Sequence, residues 1–153
     1  MTILAVDPGS HRTGWATETE SGVMLEPTAA AIWRAVQDIG PSLLVVEGQF
    51  NLQRSLDVVR IRFYWECCAR IIGAKVVVVQ PATWQSSFGI KVPKEFRGPK
   101  NASKRQRWVK ATIMARAMGL AVDRNEPPPV ADQADALCIH AWARDAEKLG
   151  VLG

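Results

Sequence analysis

Cysteine is scarce in this sequence, and its spacing is not that of metal-binding or disulfide-forming cysteines. The 153 residues include three cysteines, Cys67, Cys68 and Cys138, of which two are adjacent and none forms a C-x-x-C pair. We therefore expect neither a disulfide framework nor a structural zinc site. The corresponding expectation is a reducing, cytoplasmic location, associated with the nucleoid or, for a viral gene, in the host cytoplasm.

Long apolar runs are also missing. No run approaches the roughly 20 residues that a membrane-spanning helix needs, and the sequence enters a predicted strand without a basic leader. We expect no membrane partner. With 48% hydrophobic and 22% charged residues, residues 1–153 are predicted to form a single compact domain.

Acidic residues are almost absent between Lys91 and Arg116. This segment contains nine basic residues and one acid, Glu95, so its net charge is +8 while that of the whole chain is +4. A concentrated basic segment favours a polyanion such as DNA as the partner. The alternative is a solvated basic loop that contacts nothing.

Prolines and glycines divide this segment into a loop and a helix. They predict a basic loop over about residues 89–102, and Ser103 is the predicted N-cap of a helix over residues 104–118. The apolar stripe of that helix repeats every four residues from Val109 to Ala117. The predicted DNA contacts of the loop and the helix are Lys91, Lys100, Lys104, Arg105, Arg107 and Lys110.

Two acidic residues each end a continuous apolar run. Asp7 follows the run 3–6, and Glu47 follows the run 43–46. Such runs are typical of strands that are buried on both faces of a sheet. A carboxylate at the end of a buried strand is costly unless something positive compensates it. Both acids are therefore candidate cation ligands, although Asp7 before Pro-Gly could also be a plain turn residue.

A second pair of acids, Asp132 and Asp135, is three residues apart just after three consecutive prolines. This spacing places both on one face of the first turn of a helix predicted over residues 132–148. Helix capping alone would also explain them. His140 lies five residues after Asp135, off that face, so we expect it to pack or to contact a partner rather than to bind metal.

The four acids come from three distant segments and could converge on a pair of divalent cations. Carboxylate oxygens are the ligands that Mg²⁺ and Mn²⁺ prefer. Two such ions about 4 Å apart suit the hydrolysis of a phosphodiester.

The remaining elements follow from periodicity and from turn residues. Strands that alternate with helices on a mixed sheet, without internal repeats, predict an α/β fold. The predicted strands cover residues 2–7, 13–19, 23–25, 43–47 and 75–79, the second antiparallel to the first, and the predicted helices cover residues 29–39, 53–72, 83–88, 104–118 and 132–148.

Four short motifs occur in a fixed order along these elements: ILAVDPGS at 3–10, VEGQF at 46–50, KRQ at 104–106 and DQADAL at 132–137. The motifs and the element order resemble those of the RuvC-type Holliday junction resolvases, which belong to the ribonuclease H-like superfamily. This chain looks like a compact member. It departs from the usual pattern in the shorter stretch between the first two motifs and in the longer basic loop.

The resemblance implies a ribonuclease H-like fold, a mixed central β-sheet flanked by α-helices. It also implies a hydrolase, a metal-dependent endonuclease that resolves four-way DNA junctions by paired symmetric nicks. The implied catalytic residues, which are also the ligands of two Mg²⁺ ions (with Mn²⁺ able to substitute), are Asp7, Glu47, Asp132 and Asp135.

The resemblance also suggests further DNA contacts. Phe50 resembles an aromatic residue that the family inserts near the junction centre, although it could equally plug the end of a strand. Lys104 resembles a basic residue near the scissile phosphate. Arg12 and Arg54 flank the two acidic strand ends and are candidates for phosphate contacts, or else simple surface residues.

A homodimer is the expected assembly, because two symmetric nicks need two sites about a two-fold axis. The helix predicted over residues 53–72 supports it, since the helix is apolar over much of its circumference. In the family this helix lies at the dimer interface. One apolar stripe comprises Leu56, Val59, Phe63 and Cys67, and the other comprises Val58, Ile61, Trp65 and Ile72.

Three other classes of function are alternatives to this one. A ribonuclease H-like nuclease for RNA–DNA hybrids or for branched or flap DNA would use the same chemistry. A catalytically idle DNA-binding protein is less expected because all four acids are present. A sugar-kinase or actin-like ATPase would need a second such domain. The sequence does not indicate a helicase partner.

Overall fold

A five-stranded mixed sheet forms the centre of the molecule in a computed structural model, which describes residues 1–48 and 56–152. The strands are β1 (Ile3–Asp7), β2 (Arg12–Ala16), β3 (Ser21–Leu25), β4 (Leu43–Glu47) and β5 (Lys75–Val79). They lie in the order β3-β2-β1-β4-β5. The first three form an antiparallel meander, and β4 and β5 continue the sheet parallel to β1. The mixed α/β sheet predicted from the sequence is confirmed.

Helices cover both faces of this sheet. On one face lie α1 (Ala29–Ile39) and α2 (Leu56–Ile71), and on the other lie α3 (Pro81–Ser87), α4 (Ala102–Asp123) and α5 (Ala131–Lys148). Two short 3₁₀ turns, Lys94–Phe96 and Pro99–Asn101, precede α4. None of the helices described between residues 1–48 and 56–152 is long and apolar enough to cross a membrane.

Alternation along the central strands decides which helical layer each side chain meets. Ile3 and Ala5 pack in the core beneath α4 and α5, whereas Leu4 and Val6 pack beneath α1 and α2. The same alternation holds along β4, whose residues are all buried. Because side chains alternate with a period of two, Asp7 and Glu47 project toward the layer that contains α5.

Several predicted boundaries were wrong in ways that local contacts explain. Strand β2 ends at Ala16 rather than at residue 19, because Thr17 turns the chain by bonding its amide and hydroxyl to the Glu20 carbonyl. Helix α3 begins at Pro81, a residue suited to the first helical position. The predicted cap Ser103 lies inside α4, because the Pro99–Asn101 turn leads directly into the helix.

Two further boundaries differ. Helix α4 continues to Asp123 rather than ending near residue 118. Only Asp132 lies in the first turn of α5, so Asp135 begins the second turn. The predicted helix over residues 53–72 corresponds to α2, and its first three residues lie outside the described part of the chain.

A buried histidine ties α5 to the neighbouring elements. The Arg124 Nη2 group, just after α4, donates a hydrogen bond of 2.8 Å to His140 Nδ1, so this ring nitrogen accepts and the neutral ring carries its proton on Nε2. The Nε2 atom lies 3.6 Å from Glu18 Oε1, beyond β2. Burial and then the nearby Arg124 charge lower the pKa of His140 to about 4. His140 is therefore a packing residue held neutral.

This histidine should make stability depend on pH. Its pKa is about 4 in the fold against about 6.5 in the unfolded chain, so between these values the unfolded state binds the extra proton and stability rises with pH. The contribution is fully present above pH 6.5, and about 3 kcal/mol is lost by pH 4. Urea unfolding across this window should show the slope in wild type. His140→Gln should remove this contribution to the slope, and the control His11→Gln, at the exposed histidine, should leave the slope unchanged. An unchanged slope in His140→Gln would contradict the assignment.

Candidate active site

The ends of β1 and β4 place two of the predicted carboxylates side by side. The parallel register pairs Val6 with Val46, and the next step along it brings Asp7 opposite Glu47. Neighbouring strands lie about 4.8 Å apart, and both side chains project toward the α5 layer. Glu47 is 7% exposed.

A glycine brings the third segment to the same place. Gly14 pairs with Asp7 in the β1–β2 ladder. A Cβ atom built on Gly14 would lie 1.7 Å from the main-chain oxygen of Asp132 and 2.7 Å from its carbonyl carbon. The start of α5 therefore rests directly on the backbone of β2, beside the strand end that carries Asp7. Three segments distant in sequence meet at this end of the sheet.

Hydrogen bonds from Gln133 hold the start of α5. This side chain lies between the two acids in sequence, and its Oε1 accepts a bond of 3.3 Å from the Val130 N–H. Its Nε2 donates a bond of 2.7 Å to Ser21 Oγ, which in turn donates to Glu126 Oε2 at 2.7 Å. The helix end is thus anchored to β3 and to the segment that precedes it. Sequence reasoning missed Gln133. The available signal was a Gln at the third position of the helix, from which the side chain can bond back to the main-chain N–H of the cap residue.

Arg12 lies beside one of the acids. Its Nη1 is 3.5 Å from Asp132 Oδ2, and the two side chains are 63% and 38% exposed. An ion pair this accessible to water contributes little stability. Arg12, predicted to contact phosphate, therefore remains within reach of solvent at the edge of the site.

Trp84 supports the other buried acid. Its Nε1 donates a hydrogen bond of 2.8 Å to Glu47 Oε2, and its ring is fully buried with Phe88 packed edge-on at 6.5 Å. Sequence reasoning also missed this residue. The contact depends on the sheet, because β5 pairs Val79 with Glu47 and Trp84 lies in the helix that follows β5, so no local sequence pattern indicated it.

A narrow cleft between α4 and α5 is lined by a lysine as well as by the aspartate pair. It has a volume of about 130 Å³, and its walls include Lys110 and Met114 from α4 and Asp132 and Asp135 from α5. Lys110 is thus the predicted DNA contact that shares a cleft with the acids. Lys104 lines a separate pocket with Phe96, Arg107 and Trp108.

Other predicted contacts divide between exposed loop residues and residues outside the described chain. Lys91 and Lys100 are exposed. Arg105 donates a bond of 3.3 Å to the Gly98 carbonyl, so part of its role is to hold the loop. Phe50 and Arg54 lie outside the described ranges.

The donor set fits hard divalent cations. Across residues 1–48 and 56–152, no group of three His, Cys, Asp or Glu side chains lies close enough together to hold a metal ion. The four carboxylates do lie at one end of the sheet and supply only oxygen, as Mg²⁺ and Mn²⁺ prefer. Burial and the nearby Asp135 raise the pKa of the Cys138 thiol to about 12, so this buried cysteine is protonated at neutral pH.

Solved structures with the same architecture align with nearly the whole chain. A Thermus thermophilus RuvC structure matches with a TM-score of 0.69 at 17% identity, covering 98% of this chain and 97% of that one. T. thermophilus RuvC in complex with Holliday junction substrate matches at 0.68 and 15%, covering 98% and 96%. The fold is that of RuvC. The fowlpox virus Holliday junction resolvase matches at 0.63 and 14%, covering 95% of this chain and 99% of that one.

These neighbours confirm the predicted ribonuclease H-like fold. No protein-family model and no curated protein matches the sequence. At 14–17% identity the likeness establishes the arrangement of the backbone, and it leaves the chemistry to be argued from this chain's own residues.

The close approach at Gly14 gives a direct test of how the site is assembled. Gly14→Ala should displace the start of α5, because the new methyl group would overlap backbone atoms of Asp132. We expect a loss of about 1–3 kcal/mol in the free energy of unfolding, measured in urea.

The matched control is Gly119→Ala within α4, where an added methyl group meets nothing within 4 Å. That change should stabilise the helix by up to about 1 kcal/mol. Equal stability of the Gly14→Ala variant and wild type would show that α5 does not rest on this strand.

Proposed function

We propose that this protein is a structure-selective, metal-dependent endonuclease that resolves four-way DNA junctions by paired symmetric nicks. The observation that carries the proposal is the meeting of Asp7, Glu47 and the start of α5 at one end of the sheet. Lys110 shares a cleft with the aspartate pair of α5. The fold in which this arrangement occurs is shared with T. thermophilus RuvC in complex with Holliday junction substrate and with the fowlpox virus Holliday junction resolvase.

The ions would be held by Asp7, Glu47, Asp132 and Asp135, with Mg²⁺ as the natural cofactor and Mn²⁺ as a substitute. Two bound ions would supply an activated water and stabilisation of the leaving 3′ oxygen.

The chain's own residues would position these groups and the DNA. Trp84 fixes the orientation of the Glu47 carboxylate through its N–H bond. Lys110 would attract a phosphate to the cleft, where its charge is close enough to offset that of the phosphate. Arg12 could exchange its exposed contact with Asp132 for a phosphate oxygen, since little stability is lost when that contact opens.

A homodimer through α2 is part of the proposal. The stripe made of Leu56, Val59, Phe63 and Cys67 faces outward, with Phe63 50% exposed, whereas Ile61 and Trp65 of the other stripe are buried against the sheet. The exposed stripe suits a partner. A second copy about a two-fold axis would set two active sites at a fixed distance, as two symmetric nicks require.

A cleavage assay on synthetic substrates tests the activity. A four-way junction, a linear duplex of the same sequence and an RNA–DNA hybrid would each be incubated with the protein in Mg²⁺, in Mn²⁺ and in EDTA. We expect metal-dependent paired nicks in the junction and little cleavage of the duplex. Preferred cutting of the hybrid would instead support a ribonuclease, and no metal-dependent cutting of any substrate would reject the proposal.

Replacing any one of the four carboxylates should impair cleavage in that assay. Asp7→Asn, Glu47→Gln, Asp132→Asn and Asp135→Asn keep side-chain volume but lose metal affinity, so each should lower junction cleavage by at least about a hundredfold, or roughly 3 kcal/mol, while junction binding in EDTA is retained. Asp145→Asn, at an exposed position on the same helix, is the control and should cut normally. Wild-type rates in both Asp132→Asn and Asp135→Asn would show that the α5 pair holds no metal.

Charging the α2 stripe should separate the subunits. Val59→Asp together with Phe63→Glu should convert a dimer to monomers, because burying two uncompensated charges in an interface is unfavourable. Paired nicks should be lost, while slow single nicking survives. Met118→Glu with Val122→Asp, at two exposed apolar positions on α4, is the control. Sedimentation velocity measures the outcome, and a wild type that stays monomeric both alone and on a junction would contradict the dimer.

A further inference from the structure

A second pocket lies at the beginning of α4, away from the carboxylates. It has a volume of about 470 Å³ and is lined by Phe96, Lys104, Arg107 and Trp108. Phe96 comes from the Lys94–Phe96 turn. The other three are spaced i, i+3 and i+4 along α4, so they share one face of the helix. Two aromatic rings and two cations thus border one open pocket.

The basic loop is packed in a way that fixes Phe96 over the helix. Arg97 Nε donates to the Val92 carbonyl at 3.1 Å, and Asn101 Nδ2 donates to the Arg97 carbonyl at 3.0 Å. Arg105 Nη1 closes the far side of the loop on the Gly98 carbonyl. These bonds rigidify the segment that carries the aromatic ring, so the pocket exists before any ligand arrives.

The basic residues of this region divide into two groups. Arg97 and Arg105 hold main-chain carbonyls of the loop. Lys104 and Arg107 line the pocket and form no ion pair with any residue in the described ranges. Their charges are therefore available to an anionic ligand, within a segment whose net charge is +8.

A nucleotide whose base has left the stack matches this chemistry. An aromatic ring offers its face to a base, and stacking of this kind contributes about 1–3 kcal/mol per base. The cations would contact the phosphates on either side of the base. An apolar peptide would leave both cations uncompensated, and a free phosphate would not use the rings.

The separation between this pocket and the carboxylates follows from positions along α4. Lys110, in the cleft with Asp132 and Asp135, is six residues after Lys104, or roughly 9 Å along the helix axis. Successive nucleotides of a duplex strand are about 3.4 Å apart. Along the helix axis, a strand that passes from the cleft to the pocket therefore covers about three nucleotides.

We propose that the pocket formed by Phe96, Lys104, Arg107 and Trp108 binds one unpaired DNA base within about three nucleotides of the cut. This inference rests on the proposed nuclease function and deepens it. At the branch of a junction bases leave the stack readily, whereas in linear duplex a base must first be unstacked at a cost of a few kcal/mol. The pocket would therefore add a local preference for branched DNA.

A double-mutant cycle between protein and DNA tests the pocket. Junctions would carry a single abasic site, moved one nucleotide at a time around the cutting position, and affinity would be measured in EDTA so that no strand is cut. For wild type, one abasic position should weaken binding by about 5- to 100-fold. Trp108→Ala should lose as much on the intact junction and nothing more on that abasic junction.

Two further variants guard against a purely structural effect. Trp108→Phe keeps an aromatic face and should retain most of the affinity and the abasic effect. Met118→Ala, at an exposed position on the same helix, should behave as wild type. Thermal unfolding of each variant would show whether the fold is intact.

The outcomes separate this inference from the function on which it rests. Equal losses at every abasic position, or losses that simply add in the cycle, would overturn the pocket, while junction cleavage by wild type would still uphold the nuclease. If wild type neither binds nor cuts junctions, the nuclease proposal fails, and the pocket is then tested on a ten-residue thymidine oligonucleotide. A loss of fivefold or more in Trp108→Ala with recovery in Trp108→Phe would support it, and unchanged affinity would overturn it.

Discussion

The contact of α5 with the backbone of β2 at Gly14 is the constraint on which the candidate site depends. Asp7 and Glu47 are positioned by the sheet, because they end adjacent parallel strands whose register is fixed by burial on both faces. The α5 acids can join them only where the helix start meets a strand without a side chain. Because Gly14 has no side chain, the helix can approach β2 this closely, and the hydrogen bonds of Gln133 then hold the helix end in place.

Two buried titratable side chains, His140 and Glu47, have partners of opposite kinds. His140 is held neutral, because burial and the Arg124 charge both oppose its protonation. Glu47 receives a hydrogen bond from the Trp84 indole, a donor that satisfies one carboxylate oxygen without itself bringing a positive charge. Such a donor orients a carboxylate and still leaves it suited to bind a cation. The buried histidine and the proposed metal ligand thus differ in the chemistry of their partners.

The sequence predicted most of the fold because its strands carry strong local signals. The apolar run before Glu47 indicated a buried strand, and the predicted bounds of that strand match β4. The start of α4 was predicted wrongly because Ser103 is a good cap in isolation, whereas the preceding 3₁₀ turn decides where the helix begins. Trp84 and Gln133 were missed because their roles depend on partners 37 and 112 residues away. Local patterns locate the carboxylates, but the contacts that orient them are set by tertiary packing.

The likeness to RuvC structures at 14–17% identity separates what a backbone dictates from what it does not. In this chain, strand ends and one close helix approach fix the place of the acids. The backbone arrangement alone does not dictate which side chains a site contains. The loop before α4 is held by a separate set of contacts. Its arginine and asparagine side chains bond its own carbonyls and hold Phe96 beside Trp108, an arrangement that the carboxylates do not need. If the proposed function holds, selectivity for branched DNA would have two separate sources: the two-fold axis of the proposed dimer, which would space two active sites, and the proposed pocket, which would bind an unstacked base.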